Sequence, residues 1–199
     1  MRKKVILAAL IAGFMLGSPA SAQFSDSYNF LKAIRSRAED GKKAMDLMAK
    51  PGTVIIDTRD IGTGETALHI VTKDRDLQWL NFLLARGARA DQRDGQGNTP
   101  LMIATQLRFP EGIAALLKFK ANIDLAGSGG ETPLIRAVQM RDQTLVRLLL
   151  TNGANPDKAD TAAGLSAREY AKRDVRGAAI LKIFDEVKPK AKVFSGPKL

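Results

Sequence analysis

The sequence predicts an all-α solenoid in which short helix pairs stack side by side, and two observations predict it. The phrase Thr66–His69 returns at Thr99–Met102 and again at Thr132–Ile135, with 33 residues between successive threonines. An apolar run with helical spacing follows each copy, as in Leu145–Leu150. A fixed period of this length is typical of repeat arrays, whose units bury their apolar faces only against their neighbours.

The beginning of the chain has a different composition from the rest. A basic cluster, Arg2–Lys4, precedes an apolar stretch of 12 residues, Val5–Leu16, and a small-residue pattern at Ala20–Ala22. This order predicts a secretory signal peptide over residues 1–22 and a mature chain beginning at Gln23. Twelve apolar residues are too few to span a bilayer, and the alternative is an uncleaved N-terminal anchor.

Composition limits the classes of function. Without the three leader cations, 28 basic and 21 acidic side chains remain, a net charge of about +7 that is moderate for a nucleic-acid-binding protein. The chain has no cysteine and one histidine, which argues against disulfides and against a zinc site. We therefore expect a periplasmic protein with no cofactor, no metal, no nucleic-acid partner and no membrane-spanning segment after the leader.

The repeated phrase predicts how each unit folds. Its threonine is an N-cap residue, and the proline that follows it in two copies suits the first turn of a helix. Gly87 and Gly153 fall just after the second apolar helix, where a positive φ is common. The period sets three units, at 61–93, 94–126 and 127–159.

Both ends depart from the pattern, as the terminal units of a solenoid must. Residues 23–60 are predicted to form an N-terminal helical cap, and 160–187 a degenerate C-terminal capping repeat. In the latter, Arg168 and Glu169 stand where the phrase has leucine and histidine, so that this side of the helix can face water. Residues 188–199, with four lysines and little to bury, are expected to be a disordered basic tail.

The three copies resemble the ankyrin repeat, whose pattern runs Asp-x-x-Gly-x-Thr-Pro-Leu-His-x-Ala, then an apolar helix ending in Leu-Leu, then Gly-Ala. The likeness covers roughly residues 30–187. It implies an all-α ankyrin-repeat solenoid of stacked helix-turn-helix pairs with β-hairpin-like fingers. It also implies that His69 bonds to Thr66 at the helix start, and that the partners are proteins.

No catalytic residue is predicted. His69 occupies the histidine position of the phrase, and no nucleophile or second ligand is evident for it. The glycine-rich stretch Gly127–Glu131 lacks the Gly-Lys-Ser/Thr of a phosphate-binding loop. Asp74 and Asp76 are interpreted as solvated charges at helix ends. We expect a protein that is not an enzyme.

Two surfaces are candidates for recognition. The first is the concave face formed by the finger tips and the first helices, where Leu107 and Met140 either anchor a partner or contact the neighbouring finger. The second is a basic strip of three arginines, which replace the glycine that the family places between its two helices. The strip either binds an acidic partner or only supplies cations to helix C-termini, where Asp76 and Asp142 allow local pairing. The candidate residues are, for the face, Thr63, Glu65, Lys73, Asp74, Gln96, Asn98, Gln106, Leu107, Ser128, Glu131, Gln139 and Met140, and, for the strip (hereafter the arginine row), Arg75, Arg108 and Arg141.

The expected function is that of a monomeric, non-enzymatic scaffold or adaptor of the periplasm that binds a partner protein through the concave groove and finger tips. One alternative is an accessory or inhibitory subunit of a single envelope enzyme. Another is a binder of an acidic polymer or anionic surface through the arginine row and the lysine tail.

Overall fold

The computed structural model describes residues 19–51 and 55–187, with side chains from Asp26 onward. Most of the predicted leader (1–18) and the whole predicted tail (188–199) lie outside the described residues. The described residues form ten α-helices: α1 (Pro19–Arg35), α2 (Arg37–Ala49), α3 (Ala67–Lys73), α4 (Leu77–Ala85), α5 (Pro100–Gln106), α6 (Pro110–Lys118), α7 (Pro133–Gln139), α8 (Gln143–Thr151), α9 (Ala167–Arg173) and α10 (Ala178–Glu186).

The helices form five antiparallel pairs that stack in two layers. The odd-numbered helices make the inner layer, in which each contacts the next, and the even-numbered helices make the outer layer. Within the described ranges, β-structure is limited to one isolated bridge between Ala159 and Ser166. The all-α solenoid predicted from the sequence is therefore confirmed.

The core is built from residues that repeat at the same register positions. Each outer helix directs two apolar side chains, three residues apart, into the space between the layers. Because burial of such a side chain stabilises by about 1.5–3 kcal/mol, the apolar interior is the main source of stability. Six of these side chains in the three central pairs are completely buried: Leu80, Ile113 and Val146 at one position, and Leu83, Leu116 and Leu149 at the other.

The inner helices begin at the predicted cap residues. The hydroxyl oxygens of Thr99 and Thr132 each accept a hydrogen bond from the amide three residues later, at 3.2 Å. Ser166 does the same for Glu169 at 3.3 Å, and the Glu169 carboxylate accepts the Ser166 amide at 2.8 Å in return. Glu169 is thus one half of a capping box as well as the exposed side chain that we expected.

The arginine row occupies left-handed backbone positions. Arg75, Arg108 and Arg141 have φ values of 55°, 52° and 54°, in the turn that joins each inner helix to its outer helix. In each case the amide of the following residue bonds back to the inner helix, as from Asp76 to the Val71 carbonyl at 2.9 Å. Glycine adopts this conformation without strain, whereas a side chain with a Cβ adds a cost of about 1 kcal/mol.

The side chains of the arginine row link successive repeats. Arg75 donates to the carbonyl of Leu107, and Arg108 donates to the carbonyl of Met140 at 3.3 Å. Arg141 forms two hydrogen bonds with the Asp174 carboxylate, at 2.6 and 2.9 Å. Each guanidinium therefore reaches the C-terminal end of the next inner helix, where the exposed carbonyls favour a cation.

Asp76 and Asp142, which the sequence allowed to pair with the arginine beside them, instead pair with an arginine of the preceding repeat. Asp76 accepts from Arg37 at 2.7 Å, and Asp142 lies 3.5 Å from Arg108. Each aspartate also caps its own outer helix through a backbone amide. Asp74, interpreted as a solvated charge, likewise accepts from Arg37 at 2.7 Å.

A second set of links runs along the opposite edge, where the outer helices end and the fingers begin. There a carboxylate oxygen accepts a backbone amide from the following repeat, at 2.8–2.9 Å in all three cases. Because the separation is 31 or 32 residues, each bond joins nearest neighbours only. The three acceptors, hereafter the aspartate row, are Asp57 to the amide of Arg89, Asp91 to that of Asn122, and Asp124 to that of Asn155.

Two replacements of Arg108 separate its backbone cost from its side-chain contribution. Both Arg108→Gly and Arg108→Ala remove the guanidinium, but only alanine retains the strain of a positive φ. We expect Arg108→Gly to be the more stable of the two by about 1 kcal/mol, measured by urea unfolding. Equal stabilities would contradict a left-handed turn at this residue.

Candidate partner-binding groove

The fingers are tight turns closed by one backbone hydrogen bond across the turn. The amide of Asp94 donates to the carbonyl of Asn98 at 2.9 Å, and that of Gly127 donates to Glu131 at 2.8 Å. The first and last fingers are closed by the amides of Asp60 and Asp160, each bonded to a carbonyl five residues later. The resulting hairpin-like loops present short polar tips beside the inner helices.

Neighbouring fingers are held in contact by their backbones. The amide of Gly95 donates to the carbonyl of Thr63 at 2.8 Å. A Cβ on Gly64 would lie 2.5 Å from the Gly95 nitrogen, so only glycine permits this approach. Thr161 is bonded in the same way to the carbonyl of Gly129, at 3.0 Å. The spacing of the first and second finger tips, and of the third and fourth, is therefore set before any partner arrives.

The structure places the predicted groove residues at a few register positions. At the finger tips, Thr63, Gln96 and Ser128 are exposed. The residue of the third finger that is equivalent to Thr63 and Gln96 by the period of 33 is Gly129, one position after Ser128. Where the fingers return to the inner helices, Glu65, Asn98 and Glu131 are half-buried. Lys73, Gln106 and Gln139 are exposed on the last turns of α3, α5 and α7. At the C-caps of the same helices, Asp74 is exposed and Leu107 and Met140 are half-buried.

The first repeat presents charges that are already paired. Glu65 accepts from Lys73 and from the Thr63 hydroxyl, and lies 3.7 Å from Arg35. Burial acts to raise the pKa of Glu65, but the hydrogen bonds from Lys73 and Thr63 lower it overall. The nearby Asp60 accepts the Thr63 amide and the Arg35 guanidinium, which together lower its pKa to about 2. At this end of the groove the two carboxylates are therefore balanced by two cations.

The second repeat presents amides instead of charges. Gln96, Asn98 and Gln106 supply both donors and acceptors. Asn98 donates weakly to Gln96, at 3.4 Å, whereas Gln106 makes no hydrogen bond to another described residue. The centre of the groove is therefore a neutral polar strip whose bonding capacity is largely free.

In the third and fourth repeats the groove has two further members that the sequence reasoning missed. Arg136 pairs with Glu131, and the Tyr170 hydroxyl donates to Asp160 at 2.6 Å. Tyr170 also interacts with Gln139, and the bond to Asp160 raises its pKa. Alignment of the repeats could have revealed them, because Arg136 and Tyr170 occupy the position at which the first two repeats carry the buried Ile70 and Ile103.

His69 is fully occupied by structural bonds. Its Nδ1 accepts from the Thr66 amide at 3.1 Å and lies 2.8 Å from the Thr66 hydroxyl. Its Nε2 lies 3.1 Å from the carbonyl of Asn98 in the next finger, to which it donates when Nδ1 is the acceptor. Burial lowers the pKa of His69, although the bond to Asn98 acts against this. The predicted bond between Thr66 and His69 is confirmed, and it extends to the neighbouring repeat.

The described residues bring together no cluster of three or more histidines and carboxylates that would hold a metal ion. None of the helices in the part of the chain that the structure describes combines the length and the apolar character required of a bilayer-spanning segment. The groove is thus a shallow polar surface whose titratable groups are mostly paired.

The stacked helix pairs, the finger turns and the open groove define a repeat α-solenoid. The sequence profile of ankyrin repeats (3 copies) matches residues 33–126 and 68–160, which together span more than half of the chain. The chain therefore belongs to the ankyrin-repeat family. Ankyrin repeats generally mediate protein–protein interaction and typically lack catalytic activity. No curated protein gives a significant match to this sequence.

His69 is the only histidine of the chain, and histidine is the side chain whose ordinary pKa lies between pH 5 and 8. We therefore expect the free energy of unfolding to depend on pH in this range through His69. Its pKa is lower in the folded chain, so its contribution is complete above the unfolded value of about 6.5 and is lost as the pH falls below it. Urea unfolding is expected to show a slope of up to about 1.4 kcal/mol per pH unit there.

The control for this prediction is His69→Met, because Met102 occupies the same register position in the next repeat. This variant is expected to be less stable at neutral pH, since the bonds to Thr66 and Asn98 are lost. Its stability should nevertheless be flat between about pH 5.5 and 7.5. An equal slope in the variant and the wild type would assign the dependence to another group.

Proposed function

We propose that the protein is a non-enzymatic recognition module of the bacterial periplasm that holds a partner protein in the concave groove. The observation that carries this proposal is the neutral centre of the groove, where the exposed amides of Gln96 and Gln106 lie between the ion pairs of the first and third repeats. Gln139, also exposed, continues the amide surface on α7. Side-chain amides offer donors and acceptors together, which suits the polar surface or backbone of another protein.

A preformed groove favours binding because little of it must be ordered when the partner arrives. Backbone bonds fix the first finger to the second and the third to the fourth. The charges of Glu65 and Glu131 are held by Lys73 and Arg136. Half-buried Leu107 and Met140 add apolar contact area at the rim of the groove. The cost of binding is therefore mainly the loss of water from the amide strip.

The arginine row is not part of this proposal. All three guanidinium groups are bonded to the neighbouring repeat, so a partner would compete with Leu107, Met140 and Asp174 for them. The competing idea of a dedicated subunit of one envelope enzyme uses the same groove. It differs in predicting a single partner at fixed stoichiometry.

Photo-crosslinking in living cells tests the groove directly. A photoreactive residue at Gln106 or at Gln139 is expected to capture the same protein, because both side chains are exposed on one face. The matched control is Asn81 on the outer helix α4, also exposed but facing away from the groove. Capture of that same protein from Asn81 alone would contradict the proposed binding face.

Binding is expected to depend on the amides themselves. Gln106→Arg with Gln139→Arg should weaken the purified complex at least tenfold, because two larger, charged side chains would replace the amides that the partner contacts. Gln143→Arg, an exposed position on α8, supplies the control for added charge. Equal affinities for all variants would show that the groove centre does not contact the partner.

The proposed location is tested by processing and fractionation. Mass spectrometry of the protein from expressing cells is expected to show a chain that begins at Gln23, recovered by osmotic shock with periplasmic proteins. Deletion of Val5–Leu16 should leave the chain unprocessed in the cytoplasm, since the apolar segment directs export. A mass that retains residues 1–22 in the membrane fraction would instead indicate an anchor.

A further inference from the structure

A basic surface lies at the C-terminal ends of α4 and α6, on the edge where the fingers begin. Four exposed cations and one exposed aromatic side chain stand on this edge, and none of the four forms an ion pair with another described residue. The guanidinium of Arg86 lies 4.8 Å from the centre of the Phe82 ring. The members of this surface, hereafter the basic edge, are Arg86, Arg89, Lys118, Phe119 and Lys120.

The two halves of the basic edge are held together by the aspartate row. Asp57 accepts the backbone amide of Arg89, and Asp91 accepts that of Asn122, each at 2.9 Å. Asp91 thereby fixes the loop that carries Arg89 against the loop that follows Lys120. Asp57 and Asp91 thus bring two carboxylates to the four cations of this surface, and these six side chains carry a net positive charge.

Stacking does not require cations at these positions. In the third repeat the equivalent residues are uncharged, yet α8 packs and ends in the same way as α4 and α6. The basic edge is thus a property of the first two repeats and not of the repeat pattern. The third-repeat equivalents, 33 residues after Lys118, Phe119, Lys120 and Asn122, are Thr151, Asn152, Gly153 and Asn155.

Lys120 occupies a backbone position that glycine would adopt without strain. Its φ is 64°, and the glycines at the same position in the flanking repeats, Gly87 and Gly153, have φ of 90° and 91°. A lysine in this conformation carries a backbone cost that glycine would avoid. Residues held at such a cost are concentrated at functional sites, which points to a use for this exposed ammonium group.

Phe119 identifies the kind of surface that would be bound. It is 38% exposed and lies between Lys118 and Lys120 in the chain. The attraction of a cation to a helix C-terminus accounts for Lys118 but not for an exposed ring beside it. Cations on both sides of an exposed aromatic side chain suit the interface of an anionic bilayer, where the ring lies at headgroup level.

The end of the described chain lies at the same edge. α10 finishes at Glu186, in the same direction as α4 and α6, and Val187 is followed in sequence by Lys188, Lys190 and Lys192. Val187 therefore lies on the side of the solenoid that carries the basic edge, and the lysines that follow it in the sequence have the same sign of charge.

We propose that the basic edge docks the protein on an anionic phospholipid surface. The cations lie against lipid phosphates, and the Phe119 ring enters the headgroup region. Because the basic edge lies at the ends of the outer helices, the groove on the inner helices stays accessible in the docked state. The proposal is independent of the identity of the groove partner.

Vesicle flotation tests this docking. The probe is a phosphatidylcholine vesicle that contains one third of phosphatidylglycerol, compared with phosphatidylcholine alone. The test variant carries the third-repeat residues at the basic edge: Arg86→Asn, Arg89→Asn, Lys118→Thr, Phe119→Asn and Lys120→Gly. All chains are purified in the same way with the same termini, so any contribution of the leader or the tail cancels in the comparison.

The wild type is expected to bind the anionic vesicles at low salt, and the test variant to bind at least tenfold more weakly, because four surface cations are lost. A control variant with four cations removed elsewhere, at Lys42, Lys43, Lys172 and Arg176, should retain most of the binding. Phe119→Asn alone should matter most at high salt, where screening removes the charge contribution and leaves the ring.

The proposal is overturned by equal loss in the control variant, which would indicate a response to net charge alone, or by no preference of the wild type for anionic vesicles. In the latter case an acidic protein becomes the occupant to test. The thermal midpoint of every variant is measured alongside. The single variant Lys120→Gly, in which the strain of a positive φ is relieved, is expected to keep or raise that midpoint and still to bind the anionic vesicles more weakly than the wild type.

Discussion

The structure depends on contact between nearest neighbours, because no helix pair can bury its apolar face alone. Two sets of polar links reinforce that contact on opposite edges. The arginine row connects the turns between helices, and the aspartate row connects the starts of the fingers. Since all of these bonds span about one period of 33 residues, they fix the angle and the spacing of adjacent pairs but not of distant ones. The shape of the groove results from these local constraints added along the array.

Most of the fold could be predicted from the sequence, because its main determinants are local and periodic. The threonine phrase predicted the starts of the inner helices α3, α5 and α7, and the period predicted which side chains meet in the core. The partners of the arginine row could not be predicted in this way. The sequence shows Asp142 beside Arg141, but their directions in the turn send Arg141 forward to Asp174 and bring Asp142 toward Arg108. Which carboxylate each arginine reaches depends on the angle between neighbouring repeats in three dimensions, and the spacing of residues in the sequence does not give that angle.

Alignment of the repeats predicted where the groove residues lie, but not which of them are paired and which have free polar groups. The sequence indicated which residues stand at the finger tips and on the last turns of the inner helices. It did not indicate that Lys73 and Arg136 would be held by Glu65 and Glu131, which leaves the amides of the second repeat as the free polar groups. Arg136 and Tyr170 were missed because the equivalent residues of the first two repeats are apolar and buried, which made the position look structural.

The nearest-neighbour character of the two rows has a consequence for how such a chain can change over generations. The tandem gain or loss of one unit, by recombination between similar segments of the gene, would join a finger such as that at Asp94 to an inner helix of equivalent register. Every arginine of the row would still reach an acceptor at the C-terminal end of the next inner helix, and every aspartate of the row would still reach a backbone amide of the next repeat. The length of the groove can therefore evolve in whole units, while the capping pairs at either end stay unchanged.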